Sequence, residues 1–128
     1  MIKIFIGYDK RERTATSLLI DSLNKYSSSP LSITIIKREQ LNNILTRSRG
    51  PLDSTDFSIS RFLTPYLSNY DGWSIFMDCD MLFQDDITKL WRMQDDQHDV
   101  MVVKHQYIPK SEKKFDKEKQ TPYNMKNW

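Results

Sequence analysis

Trp73-Ser-Ile-Phe-Met-Asp78-Cys-Asp80-Met-Leu-Phe83 is the stretch that decides the fold of this chain. Its first five residues predict a short buried strand over 73–78, since a brief apolar run suits a parallel sheet covered on both faces. The strand ends on two acids separated by one residue, after which apolar residues resume. In open α/β sheets ligands bind beyond the carboxyl ends of the strands, so Asp78 and Asp80 stand where a site is expected. Two carboxylates so spaced can turn toward one hard cation. Mg²⁺ or Mn²⁺ prefers such oxygen ligands and leaves positions open for phosphate oxygens. The plainer role for the pair is to solvate a strand end. Cys79, between two acids, is disfavoured as a thiolate, so nucleophilic chemistry is not expected of it.

Upstream, residues 2–6 form an apolar run broken by Lys3 and closed by Gly7, a second buried strand. A helix is predicted over 10–26, with Leu18, Leu19, Leu23 and Tyr26 as its apolar stripe. Asp9 and Glu12 stand like a capping box at its start. Ser27-Ser-Ser-Pro30 breaks the helix, and residues 31–36 predict another strand. Strand, helix and strand in this order open a parallel-sheet α/β fold. Residues 37–55 are polar and read as a long loop around Arg47-Ser-Arg-Gly-Pro51. Ile59, Phe62, Leu63, Tyr66 and Leu67 then fall at helical spacing, with Asp53, Ser54 or Thr55 as the cap. Pro65 should kink that helix and leave the Arg61 carbonyl without its usual partner. Asp71-Gly72 is the expected stop.

Downstream, residues 86–93 read as a short amphipathic helix through Ile87, Leu90 and Trp91. Residues 100–103 predict a fourth strand, followed by Lys104 and His105. From 106 to 128 there is no periodicity, and the lysine-rich run 110–119 reads as solvated loop. No closing helix or strand follows, so an incomplete domain is expected.

Composition narrows the function classes. A chain of 128 residues with 38% hydrophobic side chains suits one domain, and such a chain buries roughly two-thirds of its unfolded surface. The mean hydropathy of −0.63 is polar, but three Trp, six Tyr and six Phe argue against disorder. The single cysteine excludes an intrachain disulfide framework and a cysteine zinc site, and suggests a reducing compartment. A net charge of +2 is too balanced to indicate a nucleic-acid partner. No apolar run approaches the roughly 18 residues of a membrane span, and the apolar stretch 1–7 is too short for a signal h-region and runs straight into charged residues. The expected location is cytoplasmic. With three glycines and no Gly-Lys-Ser/Thr, a P-loop is absent.

Tyr8 and Asp9 lie just past the first strand, on the same sheet edge as Asp78 if the strands are parallel. An aromatic ring and a carboxylate there suit a nucleoside, the ring stacking and the acid accepting from base or ribose. Alternatively Asp9 caps the helix and Tyr8 packs. Arg61 could clamp a diphosphate bidentately or simply be solvated. His98 and His105 read as surface residues, although His105, beside Lys104 after the last predicted strand, could reach the site edge.

The blocks Ser54-Thr-Asp-Phe-Ser-Ile-Ser-Arg-Phe-Leu-Thr-Pro-Tyr-Leu67, Trp73 to Phe83 and Leu90-Trp91, with Ile4-Phe-Ile-Gly-Tyr-Asp9 before them, resemble the GT-A glycosyltransferases related to glycosyltransferase family 8. The likeness covers about residues 2–105, and its central block is the specific part. It implies a GT-A, Rossmann-like α/β fold with a mainly parallel sheet and flanking helices. Residues 1–105 would be the nucleotide-sugar-binding domain and 106–128 an irregular polar segment of it. By the resemblance, Asp78 and Asp80 would hold Mn²⁺ (or Mg²⁺) across the diphosphate of a UDP-sugar, with Cys79 between them. Tyr8 and Asp9 would match the uridine-contacting turn, and Arg61 the arginine near the donor phosphates. The implied reaction is hexosyl transfer, with retention, to a glycan or other hydroxyl acceptor. No residue is assigned as the catalytic group. The family's downstream histidine ligand has no match here, and its acceptor-binding half is largely missing. A non-catalytic fragment binding nucleotide or a protein partner is the alternative. A phosphotransferase of the HAD type is a remote third, because Leu82 stands where its motif carries threonine.

Overall fold

Ile2, Ile4, Phe5 and Ile6 are all buried, so both faces of one strand are covered. That strand, β1 (Ile2–Gly7), is the middle of a three-stranded parallel sheet. The computed structural model describes residues 1–51 and 53–103, in two units, Met1–Gln94 and Asp95–Trp128. The sheet lies wholly in the first. β2 (Leu31–Ile36) and β3 (Ile75–Asp78) flank β1 in the order β2-β1-β3. Ile4 pairs with Ile75 on one side and Ile33 on the other, and Gly7 with Asp78 and Ile36.

The two faces of β1 have different covers, as a period of two demands. Ile2, Ile4 and Ile6 join Leu19 and Leu23 of helix α1 (Arg13–Tyr26), together with Met77 and Ile87. Phe5 instead joins Ile36 and Leu41, with half-buried Leu45, Leu63 and Leu67 packed against them. Each buried aliphatic side chain contributes roughly 1.5–3 kcal/mol. The chain between β2 and β3 therefore covers the face opposite α1, and the sheet is doubly wound.

Local structure departs from the sequence expectations at several points. Leu18 and Tyr26 are exposed; the buried stripe of α1 is completed instead by Thr16 and Ser22. Their hydroxyls bond back to the carbonyls of Glu12 and Leu19, which makes small polar residues tolerable against the sheet. Residues 59–67 are not one helix but a 3₁₀ turn, Ser60–Leu63, followed by one α turn, α2 (Thr64–Leu67). The tighter 3₁₀ period shifts the inward face. Phe57, Ser60 and Thr64 are buried, while Phe62 and Tyr66 are exposed. Pro65 sits in the first turn of α2, where its missing N–H costs nothing. The Arg61 carbonyl is not orphaned, because the Thr64 N–H and hydroxyl both donate to it. The exit from α2 runs through Asn69 and Tyr70, both left-handed, ahead of Asp71-Gly72.

The polar stretch 37–55 is tied down rather than loose. It contains a 3₁₀ turn, Arg38–Gln40, and the Asp53 carboxylate accepts from the Gly50 N–H at 2.8 Å. Past β3, the Phe83 N–H donates to Ser22 and the Ser28 N–H to Asp86, pinning the segment after the motif to α1. Helix α3 (Thr88–Trp91) is shorter than predicted, and Leu90 is exposed.

In the second unit, residues 100–103 are not a strand: all four side chains are exposed. An apolar run becomes a strand only when a neighbour accepts its hydrogen bonds, and periodicity alone cannot supply one. His98 pairs with Asp95 at 3.0 Å. Lys104, His105 and the 106–128 segment lie outside the described residues.

Candidate functional site

Strand order 2-1-3 reverses direction at β1, so the crevice between the carboxyl ends of β1 and β3 is the topological switch point of the sheet. Gly7 and Asp78 are register partners there. Tyr8 and Asp9 leave β1 at that edge, and Cys79 and Asp80 leave β3.

Arg61 reaches this edge from the 3₁₀ turn Ser60–Leu63. Its Nη1 lies 3.5 Å from Asp78 Oδ1, and its Nε donates to the Phe57 carbonyl at 3.4 Å. The guanidinium carbon lies 5.2 Å from the Phe57 ring centroid and 5.4 Å from that of Phe76. Both Arg61 and Asp78 are about one-third exposed. Burial pushes the Asp78 carboxyl above its ordinary value; the Arg61 charge opposes that rise and the Asp80 charge adds to it. Asp80 is exposed. Two carboxylates close enough to repel, one of them partly desolvated, form a hard-oxygen donor pair suited to Mg²⁺ or Mn²⁺ shared with a phosphate. Among the described residues no group of three acidic, histidine or cysteine side chains could enclose a metal by itself.

Asp9 and Cys79 do not expose surface at this edge. The Asp9 carboxylate accepts from the Arg11 N–H, Nε and Nη2 and from the Asp56 N–H, at 2.8–3.1 Å. Those bonds, the Arg11 side chain first among them, hold its carboxyl down to about 2. Its oxygens accept these bonds within the protein and anchor residue 56 over the β1 exit. The Cys79 thiol donates to Glu12 Oε2 at 3.0 Å, and burial followed by that bond pushes it up to about 12. Glu12 thus receives Cys79 rather than closing a capping box, and Cys79 supports the motif from inside. Tyr8 is half-buried, with its N–H donated to the Ile36 carbonyl.

Phe57 and Arg11 escaped the sequence reading, and Glu12 entered it only as a helix cap. Arg11 bonds both Asp9 and the Ser54 carbonyl, and Arg49 pairs with Asp56 at 3.0 Å. The short Asp9-x-Arg11 spacing was a usable signal for one of these contacts. Nothing local indicates that residues 54–57 fold back over residue 9.

The glycosyl transferase family 8 model matches residues 12–127, and so takes in Arg61 and the Asp78-Cys79-Asp80 motif. The chain belongs to glycosyl transferase family 8. The doubly wound parallel sheet is accordingly the GT-A fold of that family. Protein CDI of Arabidopsis thaliana is 47% identical over 128 residues, which is 98% of this family 8 chain and 49% of the relative. The chain thus spans about half the length of the curated relative it matches. No solved structure matches it significantly. Among the described residues, no helix of this family 8 chain is long and apolar enough to cross a membrane.

Proposed function

We propose that the β1–β3 edge binds a UDP-hexose with Mn²⁺ or Mg²⁺, and that the chain serves transfer of the hexose, with retention, to a hydroxyl of a glycan. The observation that carries this reading is the Arg61–Asp78 pair at the switch point of a family 8 domain. Asp78 and Asp80 would hold the cation, with diphosphate oxygens filling positions that two carboxylates leave open. The bound cation would neutralise charge developing on the departing nucleoside diphosphate.

The remaining work falls to the chain's own groups. Arg61 offers N–H donors to a phosphate oxygen on the side away from its aromatic neighbours. The Tyr8 ring, at the β1 exit, is the surface on which uracil would stack. Asp9 and Cys79 act from behind, the first by fixing the turn and residue 56, the second by spacing the two carboxylates over the core. The test is calorimetric titration of UDP with Mn²⁺ and with EDTA. Tight binding is expected only with Mn²⁺, because without the cation the two carboxylates, only one of them paired with Arg61, repel the diphosphate. Equal affinity in both conditions would refute the shared-metal site.

A further inference from the structure

Gly7 has an ordinary backbone conformation, so its lack of a side chain answers to packing alone. A Cβ at this position would lie 2.5 Å from Phe57 Cγ and 2.9 Å from Phe57 Cβ. The ring of Phe57 is therefore seated directly on the last residue of β1, opposite Asp78 in register. It is 1% exposed and stands 6.3 Å from Phe76 at an interplanar angle of 50°. Together the two rings offer a tilted aromatic cradle, and the Arg61 guanidinium lies over both.

The contact between Arg61 and Asp78 is long and exposed, and the Nε bond to the Phe57 carbonyl, at 3.4 Å, is long as well, so these two contacts hold a flexible side chain only weakly. We infer that Phe57 is a positioning residue that, seated on Gly7, holds the Arg61 guanidinium beside Asp78 in the geometry a diphosphate requires. An arginine whose rotamers are already restricted loses little freedom when it meets its ligand, so the platform raises affinity without touching the ligand. Gly7 belongs to the same device, since any side chain there displaces the ring. The affinity consequence rests on the donor-site reading above; the positioning itself does not.

Two readouts separate these. The first needs no ligand: nuclear magnetic resonance of the Arg61 Nε–Hε group in wild type, Phe57→Leu, Gly7→Ala and the milder Phe76→Leu. A restrained group is expected in wild type and a mobile one in each variant that thermal unfolding shows to be folded. The second is UDP titration with Mn²⁺ in the same set. Phe57→Leu and Gly7→Ala are expected to weaken binding roughly threefold to tenfold, the scale of a cation–π contact. On an Arg61→Ala background, Phe57→Leu should add no further loss, because both act through one guanidinium. Unchanged Arg61 mobility in folded variants, or additive losses in the double variant, would overturn the positioning role. Failure of the wild type to bind UDP with Mn²⁺, with Arg61 still restrained by Phe57, would overturn the donor-site reading alone.

Discussion

Arg61 Nη1 and Asp78 Oδ1 lie 3.5 Å apart, so the cation and carboxylate assigned to different parts of a bound donor are partners of each other. Substitution of Arg61 should therefore act with opposite signs on two ligands. Arg61→Ala is expected to weaken Mn²⁺-dependent UDP binding by about 1.5–3 kcal/mol, as for a hydrogen bond to a charged group. The same change should strengthen binding of Mn²⁺ alone, because Asp78 loses a competing positive charge. Calorimetry with UDP and Mn²⁺ paramagnetic resonance read the two effects, and a fall in both would contradict the pairing.

Asp78 carries a cost that its neighbours do not remove. Its carboxyl is raised by burial, against the pull of Arg61 and with a push from Asp80. A raised carboxyl destabilises the fold once pH rises from its unfolded value, near 3.8, through its folded one. At pH 7 Asp78→Asn is thus expected to leave the melting temperature unchanged or higher while abolishing the Mn²⁺ dependence of UDP binding. A clear loss of stability would mean that the carboxylate is structural.

Asp9 shows the reverse sign. Its carboxyl is depressed to about 2, chiefly by the Arg11 side chain. Its stabilisation, about 2 kcal/mol, is fully present above about pH 5 and is lost as pH falls through 2. Acid titration by circular dichroism should show Asp9→Asn less stable at pH 7 and less sensitive across that window. Parallel acid-unfolding curves for variant and wild type would contradict this.

Cys79 is the only cysteine of the chain, which makes its thiol a clean probe. Buried, bonded to Glu12 and raised to about 12, it should not react with a disulfide reagent at pH 8 in the folded protein. One thiol per chain should react after unfolding in guanidinium chloride. Rapid labelling of native protein would place the thiol at the surface and undo its role beneath the motif.

Much of this arrangement could be read from local patterns. The three parallel strands follow from short apolar or β-branched runs bounded by Gly7, Pro30 and Asp78, most plainly β1, whose Ile2, Ile4, Phe5 and Ile6 are covered on both faces. Asp78 and Asp80 were legible for the same reason: charge cannot continue a buried strand, so it marks the edge. Residues 100–103 had the same composition but are not a strand, since strand formation depends on a partner that composition does not encode.

The sequence by itself determined the parallel α/β sheet, the acidic strand end and the presence of an arginine upstream of it. Those features rest on burial and chain direction, which hydrophobic periodicity records. Only the tertiary structure decided that Asp9 and Cys79 are buried supports, and that Phe57 rather than Phe62 faces inward beneath Arg61. The sequence separations explain why. Asp9 meets the Asp56 N–H, Cys79 meets Glu12, and Phe57 meets Gly7 across tens of residues. Such contacts are selected by how closely packed surfaces fit once the sheet has formed, and that fit has no local signature.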